Sequence, residues 1–295
     1  MIVIHMYAIL LIPAMTSHLT SAANSWVCSA SSDTFLTASN NEGDDKSTLK
    51  RLNTQVKQLQ RLLENKTPVY STINGIPRDC EEIYANGTVS DGVYAISPDG
   101  RCPFFVFCDM TNGGWTLIQR RVDGEVNFVR PWMDYVMGFG DKHADHWLGL
   151  EKIHRLSRDG SEIYFDIENY DGTKEYAHYK VFTVHGGVTK YKMNVDSFGY
   201  NGSVKELFSY HDNMMFSTYD RDNDVHATLN CADNHGGGGW WFRNCHRFGA
   251  FNAAYGRQTG RGISYHDNGY YFIKRIVIKL KAVQGQCESI ELKED

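Results

Sequence analysis

Short strand-like runs separated by turn-forming residues occupy the chain from residue 77 to about residue 283. The runs are rich in aromatic and β-branched residues, which fit a pleated sheet. They are FFVFCDM from Phe104, WTLIQRRV from Trp115, EIYFDIENY from Glu162, YAHYKVFTV from Tyr176, YKMNV from Tyr191 and YFIKRIVIKLKAV from Tyr271. Asp-Gly pairs, which favour tight turns, separate them at residues 91–92, 99–100, 123–124 and 171–172. Such a chain must fold around a sheet of short strands.

Helix-like runs in this region are few and short. The best is DHWLGLEKIHRLS, residues 145–157, where Asp145 is placed to act as the N-cap. A segment of roughly 200 residues is long enough to bury one sizeable core. The sequence therefore predicts a single α+β domain at residues 77–283, with a mixed or antiparallel central sheet, followed by a tail at 284–295.

The N-terminus has the layout of a signal peptide. A mostly apolar run from Ile2 to Met15 precedes Ser21, Ala22 and Ala23, which predicts residues 1–23 as the leader with cleavage after Ala23. The alternative is a short membrane anchor, but the run is shorter than the roughly 20 residues that a spanning helix needs. We therefore predict a secreted, extracellular protein.

Cysteines and glycosylation sequons fit an oxidising, extracellular compartment. The chain has seven cysteines, and an odd number leaves one thiol free or bonded to another chain. Asn-X-Ser/Thr sequons make Asn65, Asn86 and Asn201 candidate glycosylation sites.

A polar linker and a leucine seam precede the domain. Residues 24–45 are rich in Ser, Asn, Asp and Thr and predict a flexible linker. Within residues 46–66 the aliphatic residues follow heptad spacing, which predicts a short coiled coil and a homo-oligomer; they are Leu49, Leu52, Val56, Leu59 and Leu63. The alternative is a helix docked on its own domain. Cys28, just upstream, is placed to link two chains covalently.

Charge and motifs exclude two classes of function. The net charge is −5 and the chain has no basic block, so nucleic acid is not an expected partner. The sequence has neither a G-x-S-x-G elbow nor an H-E-x-x-H pair, and we predict that it is not an enzyme.

The segment TYDRDNDVHATLNCADNHGGGGWWFRNCH, residues 218–246, has too few aliphatic residues to form core. Asp220, Asp222 and Asp224 alternate in it, a pattern that suits either a solvated acidic loop or the oxygen ligands of a hard cation such as Ca²⁺. The loop is not an EF-hand, because its sixth and twelfth positions are Val225 and Cys231 rather than Gly and Glu.

Several ordered motifs together resemble the fibrinogen-related domain of fibrinogen-like, ficolin-like and tachylectin-like secreted proteins. They are CEEIYANGTVSDGVYAI from Cys80, FVFCDMTNGGWTLIQRRVDGEVNFVRPWMDYVMGFGD from Phe105, WLGLEKIHRLS from Trp147, FSTYDRDND from Phe216 and WWFRNCH from Trp240. The resemblance covers residues 77–283. It implies disulfides Cys80–Cys108 and Cys231–Cys245, with Cys28, Cys102 and Cys287 left open, including a Cys102–Cys287 or interchain bond.

The resemblance also implies a calcium site. Asp222 and Asp224 would supply carboxylates, and His226 and Thr228 would supply backbone carbonyls, while Asp220 would hold the loop. The loop is one residue longer before Cys231 than is common in the family.

A ligand site next to the calcium loop is implied as well. The Asn244–Cys245 peptide would be cis, and the amides of Cys245 and His246 would meet a ligand oxygen such as an acetyl carbonyl. A tyrosine expected before the Trp pair is absent, so Tyr265, with Tyr270 and Tyr271, is expected to rebuild an aromatic wall.

These expectations favour a calcium-dependent lectin for N-acetylated or acidic glycans, of the pattern-recognition type found in innate immunity. The alternative is an extracellular protein-interaction ligand of the angiopoietin-like or fibrinogen-like type, acting in signalling or matrix. Arg261 stands where fibrin-knob recognition needs an acidic residue, so we expect no role in clotting.

Overall fold

The computed structural model describes residues 75–259 and 261–283. The predictions for the leader, the linker, the coiled coil and the tail therefore lie outside the described residues, as do those for Asn65, Cys28 and Cys287. In the described part, no helix is long and apolar enough to cross a membrane.

Antiparallel strands form the centre of the domain. Their bounds are β1 Gly92–Ile96, β2 Phe104–Asp109, β3 Trp115–Arg121, β4 Phe139–Gly140, β5 His146–Trp147, β6 Ser161–Asn169, β7 Lys174–Val184, β8 Met193–Asp196, β9 Asn201–Gly202, β10 Ser264–His266 and β11 Tyr270–Ala282. The main sheet has the order β1-β2-β3-β11-β6-β7-β8, and β5, β9 and β10 pair with β3, β7 and β11 respectively. Each strand pair is antiparallel. The predicted fold class is confirmed.

The last strand, β11, lies between β3 and β6. The C-terminal end of the domain therefore occupies the middle of the sheet. Burial alternates along β6, where Ile163, Phe165 and Ile167 are almost fully buried while their neighbours are partly exposed. This period of two places one face of β6 on the aromatic core. On that core face, the Phe165 ring makes edge contacts with Phe208 and Phe248.

Helices are short and lie around the sheet. They are α1 Cys80–Ala85, α2 Trp132–Met137, α3 Leu150–Ser157 and α4 Cys231–Asn234, with 3-10 turns at Gly187–Thr189 and Phe208–His211. The predicted helix after Asp145 begins later than expected, because Gly149 adopts a φ of 110° and precedes α3 as its N-cap residue. That conformation favours glycine over other residues.

Asp145 has a different role from the predicted N-cap. Its carboxylate accepts hydrogen bonds from the amides of Val122 (2.6 Å) and Gly124 (3.1 Å) and lies 3.7 Å from the Arg121 guanidinium. Both charged side chains are almost fully buried. Arg121 also donates to the Ala253 carbonyl at 2.9 Å. The pair therefore holds the turn after β3 and ties the sheet to the C-terminal loops.

Two disulfides confirm the pairing implied by the resemblance. Cys80–Cys108 joins α1 to β2, and Cys231–Cys245 closes the loop after the aspartates. The sequon residues Asn86 and Asn201 are exposed, although the Asn201 side chain accepts a hydrogen bond from the Tyr176 hydroxyl. Glycosylation at these positions stays a prediction.

Candidate functional site

The aspartate loop is anchored at its start by Asp220. Its carboxylate accepts hydrogen bonds from the Trp132 amide at the start of α2 (2.9 Å) and from the Thr218 hydroxyl (2.7 Å). Asn223, between the other two aspartates, is buried and donates to the Phe216 carbonyl at 2.8 Å. The contacts of Asp220 and Asn223 with the interior fix the curvature of the loop.

Asp222 and Asp224 lie close together at the outer side of this loop. The Asp222 carboxylate accepts from the Asp224 amide at 3.1 Å. Asp224 accepts from the amides of His226 and Cys231, both at 2.8 Å. Burial raises the pKa of Asp224 above its ordinary value, and the charge of Asp222 raises it further. Two adjacent carboxylates, one of them partly desolvated, are a donor set that fits a hard cation.

The two residues expected to supply carbonyl oxygens follow directly. The His226 ring accepts from the Thr228 and Leu229 amides, both at 3.3 Å, which folds this stretch into a turn. Among the described residues, no hydrogen bond ends on the carbonyls of His226 or Thr228. The described part of the chain contains no cluster of three or more His, Cys, Asp or Glu side chains suited to a metal. A calcium ion here would therefore take carbonyl and water oxygens besides Asp222 and Asp224.

Glycines bring the disulfide loop against the C-terminal chain. Gly236 and Gly237 have φ values of 94° and 80°, and a Cβ on Gly238 would lie 2.0 Å from the Asn252 carbonyl oxygen. Only glycine allows this close approach. Trp240 and Trp241, which follow, are each 1% exposed and pack in the core, so neither ring presents a face to a ligand.

The Asn244–Cys245 peptide is trans, and the expected cis bond is wrong for this structure: every peptide bond in the described ranges is trans. The trans form is the lower in energy for a non-proline residue. It is accommodated by a turn in which the Arg243 amide donates to the Cys245 carbonyl at 2.8 Å, and the Tyr210 hydroxyl donates to the Asn244 carbonyl at 2.9 Å. The amides of Cys245 and His246 therefore have an orientation different from the one implied by the resemblance.

His246 is the most unusual polar group in this region. It is 9% exposed, and neither ring nitrogen has a hydrogen-bond partner within the described ranges. Its ring makes an edge contact with His235 at 4.6 Å between centroids, and lies 6.4 Å from Phe242 and 6.3 Å from Tyr270. Burial lowers the pKa of His246 well below its ordinary value, so the ring is neutral at pH 7.

The tyrosines differ in what they offer a ligand. Tyr265 is 4% exposed, and its hydroxyl donates to the Glu175 carboxylate at 2.9 Å. Tyr270 is 45% exposed and faces His246, while Tyr271 stacks on Tyr265 at 4.8 Å. Of the three, Tyr270 is therefore placed to contact a molecule beside His246.

His211 is a residue of this region that sequence reasoning did not single out. It is fully buried; its Nδ1 lies 2.8 Å from the Trp241 carbonyl, and its Nε2 accepts from the Arg247 and Phe248 amides at 3.2 and 3.3 Å. It holds the chain on both sides of the Cys245–His246 pair. A lone histidine in a 3-10 turn carries no sequence signal for such a role.

The fold and this loop-rich region define a disulfide-bonded binding domain. Residues 76–281 match the family described as fibrinogen beta and gamma chains, C-terminal globular domain. The chain belongs to that family, as its motifs predict.

Several curated proteins are similar over the same region. Microfibril-associated glycoprotein 4 of Homo sapiens is 39% identical over 223 residues, which cover 70% of this chain and 85% of that protein. Fibrinogen C domain-containing protein 1-A of Xenopus laevis is 39% identical over 71% of this chain and 46% of its own length. Tenascin-R of Mus musculus is 41% identical over 204 residues, 66% of this chain but only 14% of tenascin-R.

Solved structures agree. The fibrinogen-like globe domain of human ANGPTL2 superposes with a TM-score of 0.65 at 32% identity, covering 70% of this chain and 99% of that domain. Lamprey fibrin D-dimer, complexed with the peptide Gly-His-Arg-Pro-amide, gives a TM-score of 0.63 at 31% identity, covering 84% of this chain and 91% of that one.

Proposed function

We propose that this chain is a secreted recognition module that binds calcium at Asp222 and Asp224 and an N-acetylated or acidic glycan beside Cys245 and His246. Binding rather than catalysis is the proposed activity, with pattern recognition in innate immunity as its setting. Membership of the fibrinogen C-terminal family supports an extracellular binding role. The proposed calcium ligands also include the backbone carbonyls of His226 and Thr228.

The observation that carries this proposal is the buried imidazole of His246, which has no hydrogen-bond partner in the described part of the chain. A buried polar group without a hydrogen bond costs about 1–3 kcal/mol. A ligand that bonds one of the ring nitrogens would reduce that cost on binding. An N-acetyl group would offer one nitrogen either its amide N–H or its carbonyl oxygen, and its methyl group would pack against Tyr270, which is the exposed aromatic ring beside His246.

A chain of contacts connects the calcium loop to this site. The Cys231 amide donates to the Asp224 carboxylate at 2.8 Å, and Cys231 is bonded to Cys245. The Val225 amide also donates to the Arg243 carbonyl at 3.3 Å. Calcium bound by Asp224 would therefore fix the disulfide and the peptide that precedes His246, which supports calcium-dependent binding.

The test is calorimetric titration of N-acetylglucosamine into the full chain, first with calcium and then with EDTA. We expect heat with calcium that EDTA abolishes, and no heat with glucose, which lacks the acetamido group. D222N/D224N should abolish the heat. D233N, which changes an exposed carboxylate in α4, is the matched control and should keep it.

One outcome would overturn the glycan proposal and favour a protein-interaction ligand instead. If calcium raises the melting temperature but millimolar sugar gives no heat, the ion is structural and the glycan proposal is wrong. The chain would then be better described as a protein-interaction ligand of the angiopoietin-like type, and the exposed Tyr270 and Tyr271 would be the first residues to vary in a search for its partner.

A further inference from the structure

A small polar cavity lies in the central part of the domain, between the β4–β5 hairpin and the start of α3. Its volume is about 120 Å³, and its lining includes Gly140, Lys142, His146 and Lys152. A water molecule occupies about 30 Å³ in the liquid, so the cavity has room for one small charged group and its nearest neighbours. None of these residues belongs to the aspartate loop or to the site around His246.

Glycines allow the backbone segments in and beside the wall of this cavity to approach closely. Gly138, Gly140 and Gly149 have φ values of 91°, 86° and 110°. A Cβ on Gly140 would lie 2.2 Å from the Asp145 carbonyl oxygen, and one on Gly149 would lie 2.7 Å from the Met137 carbonyl oxygen. The backbone can adopt this close packing only with glycine, so the cavity is formed before anything binds.

Two lysines line the cavity and Arg120 bonds the backbone of its wall, and none of the three has a carboxylate partner among the described residues. Lys152 donates from Nζ to the Met137 carbonyl at 2.6 Å, and Arg120 donates to the carbonyls of Lys142 and His143 at 3.4 and 3.1 Å. In the described part of the chain, no carboxylate oxygen lies within 4.0 Å of the charged nitrogens of Arg120, Lys142 or Lys152. Both lysines are half-buried, and burial lowers the pKa of each.

The carboxylates nearest in sequence are engaged elsewhere. Asp141 accepts from the His143 amide at 2.9 Å, and Glu151 accepts from the Tyr191 hydroxyl at 3.0 Å. Asp145 is paired with Arg121. Asp141 and Glu151 keep their negative charges and attract Lys142 and Lys152 from a distance, but neither forms a direct ion pair with a lysine of the cavity.

A buried histidine completes the lining. His146 is 1% exposed; its Nδ1 lies 3.2 Å from the Ala144 carbonyl, and its Nε2 has no hydrogen-bond partner in the described ranges. Burial lowers its pKa to about 4, and the charges of Arg120 and Lys142 act in the same direction. The opposing effects of the Ala144 carbonyl, and of the Leu117 carbonyl, which makes no hydrogen bond to the ring, are weaker, so the ring is neutral at pH 7. With Nδ1–H donating to Ala144, Nε2 is left as an acceptor that needs a donor.

We propose that this cavity binds the sulfate or carboxylate group of an acidic saccharide, at a site separate from the one beside His246. The anionic oxygens would accept from Lys142 and Lys152, and an adjacent sugar hydroxyl would donate to Nε2 of His146. A ligand that carries both an anion and a hydroxyl satisfies all three groups, whereas inorganic sulfate satisfies only the lysines. Charge-assisted hydrogen bonds of this kind are the strong ones.

The test is titration of a sulfated, uronate-containing disaccharide into the full chain in the presence of EDTA. K142Q/K152Q should weaken binding about tenfold or more, because both charge-assisted bonds are lost. K174Q/K190Q makes the same change of charge at two exposed lysines outside the cavity and should bind like the unmodified chain. Equal weakening in both variants would reduce the effect to overall charge and overturn the site.

NMR of the His146 ring is a second readout, which distinguishes binding of a saccharide from binding of a simple anion. The ¹⁵N resonances of the His146 ring should shift with the disaccharide and shift less with inorganic sulfate. An equal shift with inorganic sulfate would overturn the role given to the hydroxyl, and no shift with either would overturn the site. Because the titration is made in EDTA, its success does not depend on the calcium proposal, and failure of either leaves the other intact.

Discussion

At the scale of single residues, three buried histidines differ in what their ring nitrogens contact. His211 has partners on both nitrogens, whereas His146 has one on Nδ1 alone and His246 has none in the described part of the chain. A satisfied ring stabilises the fold, and an unsatisfied one costs free energy unless something else binds it. This difference in hydrogen bonding identifies His211 as structural and makes His146 and His246 the candidates for ligand binding.

The pKa of His211 makes the stability of the domain depend on pH. Burial lowers it to about 4 from an ordinary 6.5. A depressed folded-state pKa gives stability that is fully present above 6.5 and is lost as the pH falls from 6.5 toward 4, because the unfolded chain binds the proton more readily. From pH 7 to pH 5 this one group should lower the free energy of unfolding by about 2 kcal/mol.

Urea denaturation at pH 7 and pH 5 checks this prediction. H211F should be less stable at pH 7, since the Trp241 carbonyl and two amides lose their partner, but its loss of stability between the two pH values should be smaller by about 2 kcal/mol. H143Q, at an exposed histidine, is the control and should keep the full pH dependence. The same dependence in H211F as in the unmodified chain would contradict the assignment.

At the scale of elements, the sequence predicted the long strands and the four-residue β8, but not β1 or the two-residue strands. Strands β2, β3, β6, β7 and β11 overlap apolar or alternating runs, because a half-buried strand needs that pattern. The two-residue strands β4 and β5 carry no such pattern, and their pairing depends on close backbone contacts at Gly140. Helix α3 was predicted, but its start was set by Gly149 rather than by Asp145.

The candidate site was predictable only in part, because some of its geometry depends on residues that are distant in sequence. The aspartates and cysteines are visible as residue types at fixed spacing, and the resemblance supplied their pairing. The orientation of the Asn244–Cys245 peptide and the exposure of Tyr270 rather than Tyr265 depend on contacts with distant chain, namely Tyr210 and Glu175. Such contacts have no local sequence signal.

The disulfide loop should couple stability to calcium binding. C231S/C245S should lower the free energy of unfolding by about 3 kcal/mol, because the bridge closes a short loop in the unfolded chain. It should also abolish the calcium-dependent rise in melting temperature. The bridge fixes the position of Cys231, whose amide donates to the Asp224 carboxylate, and that position is lost with the bridge. C80S/C108S is the matched control: a similar loss of stability is expected, with calcium binding kept. Loss of calcium binding in both variants would show that the effect is general unfolding.

At the scale of the whole molecule, several weak binding sites in one oligomer bind a surface more tightly than a single site does. A small, partly open site for one sugar binds weakly, and linked copies act at a high effective concentration. The leucine seam of residues 46–66 predicts such copies in one oligomer, although it lies outside the described residues. The two proposed saccharide sites on one domain would further raise this effective concentration.

Loss of the leucine seam should weaken binding to a surface-bound ligand but not to the soluble sugar. L52D/L59D places charges in the seam and should convert the oligomer to a monomer in sedimentation velocity. Its binding to a surface densely coated with N-acetylglucosamine should weaken by about 10²-fold or more, while its calorimetric affinity for the soluble sugar stays the same. T54D/Q58D adds the same charges at polar heptad positions and should leave both unchanged. A monomer that still binds the coated surface as tightly as the oligomer would show that the seam contributes nothing to recognition.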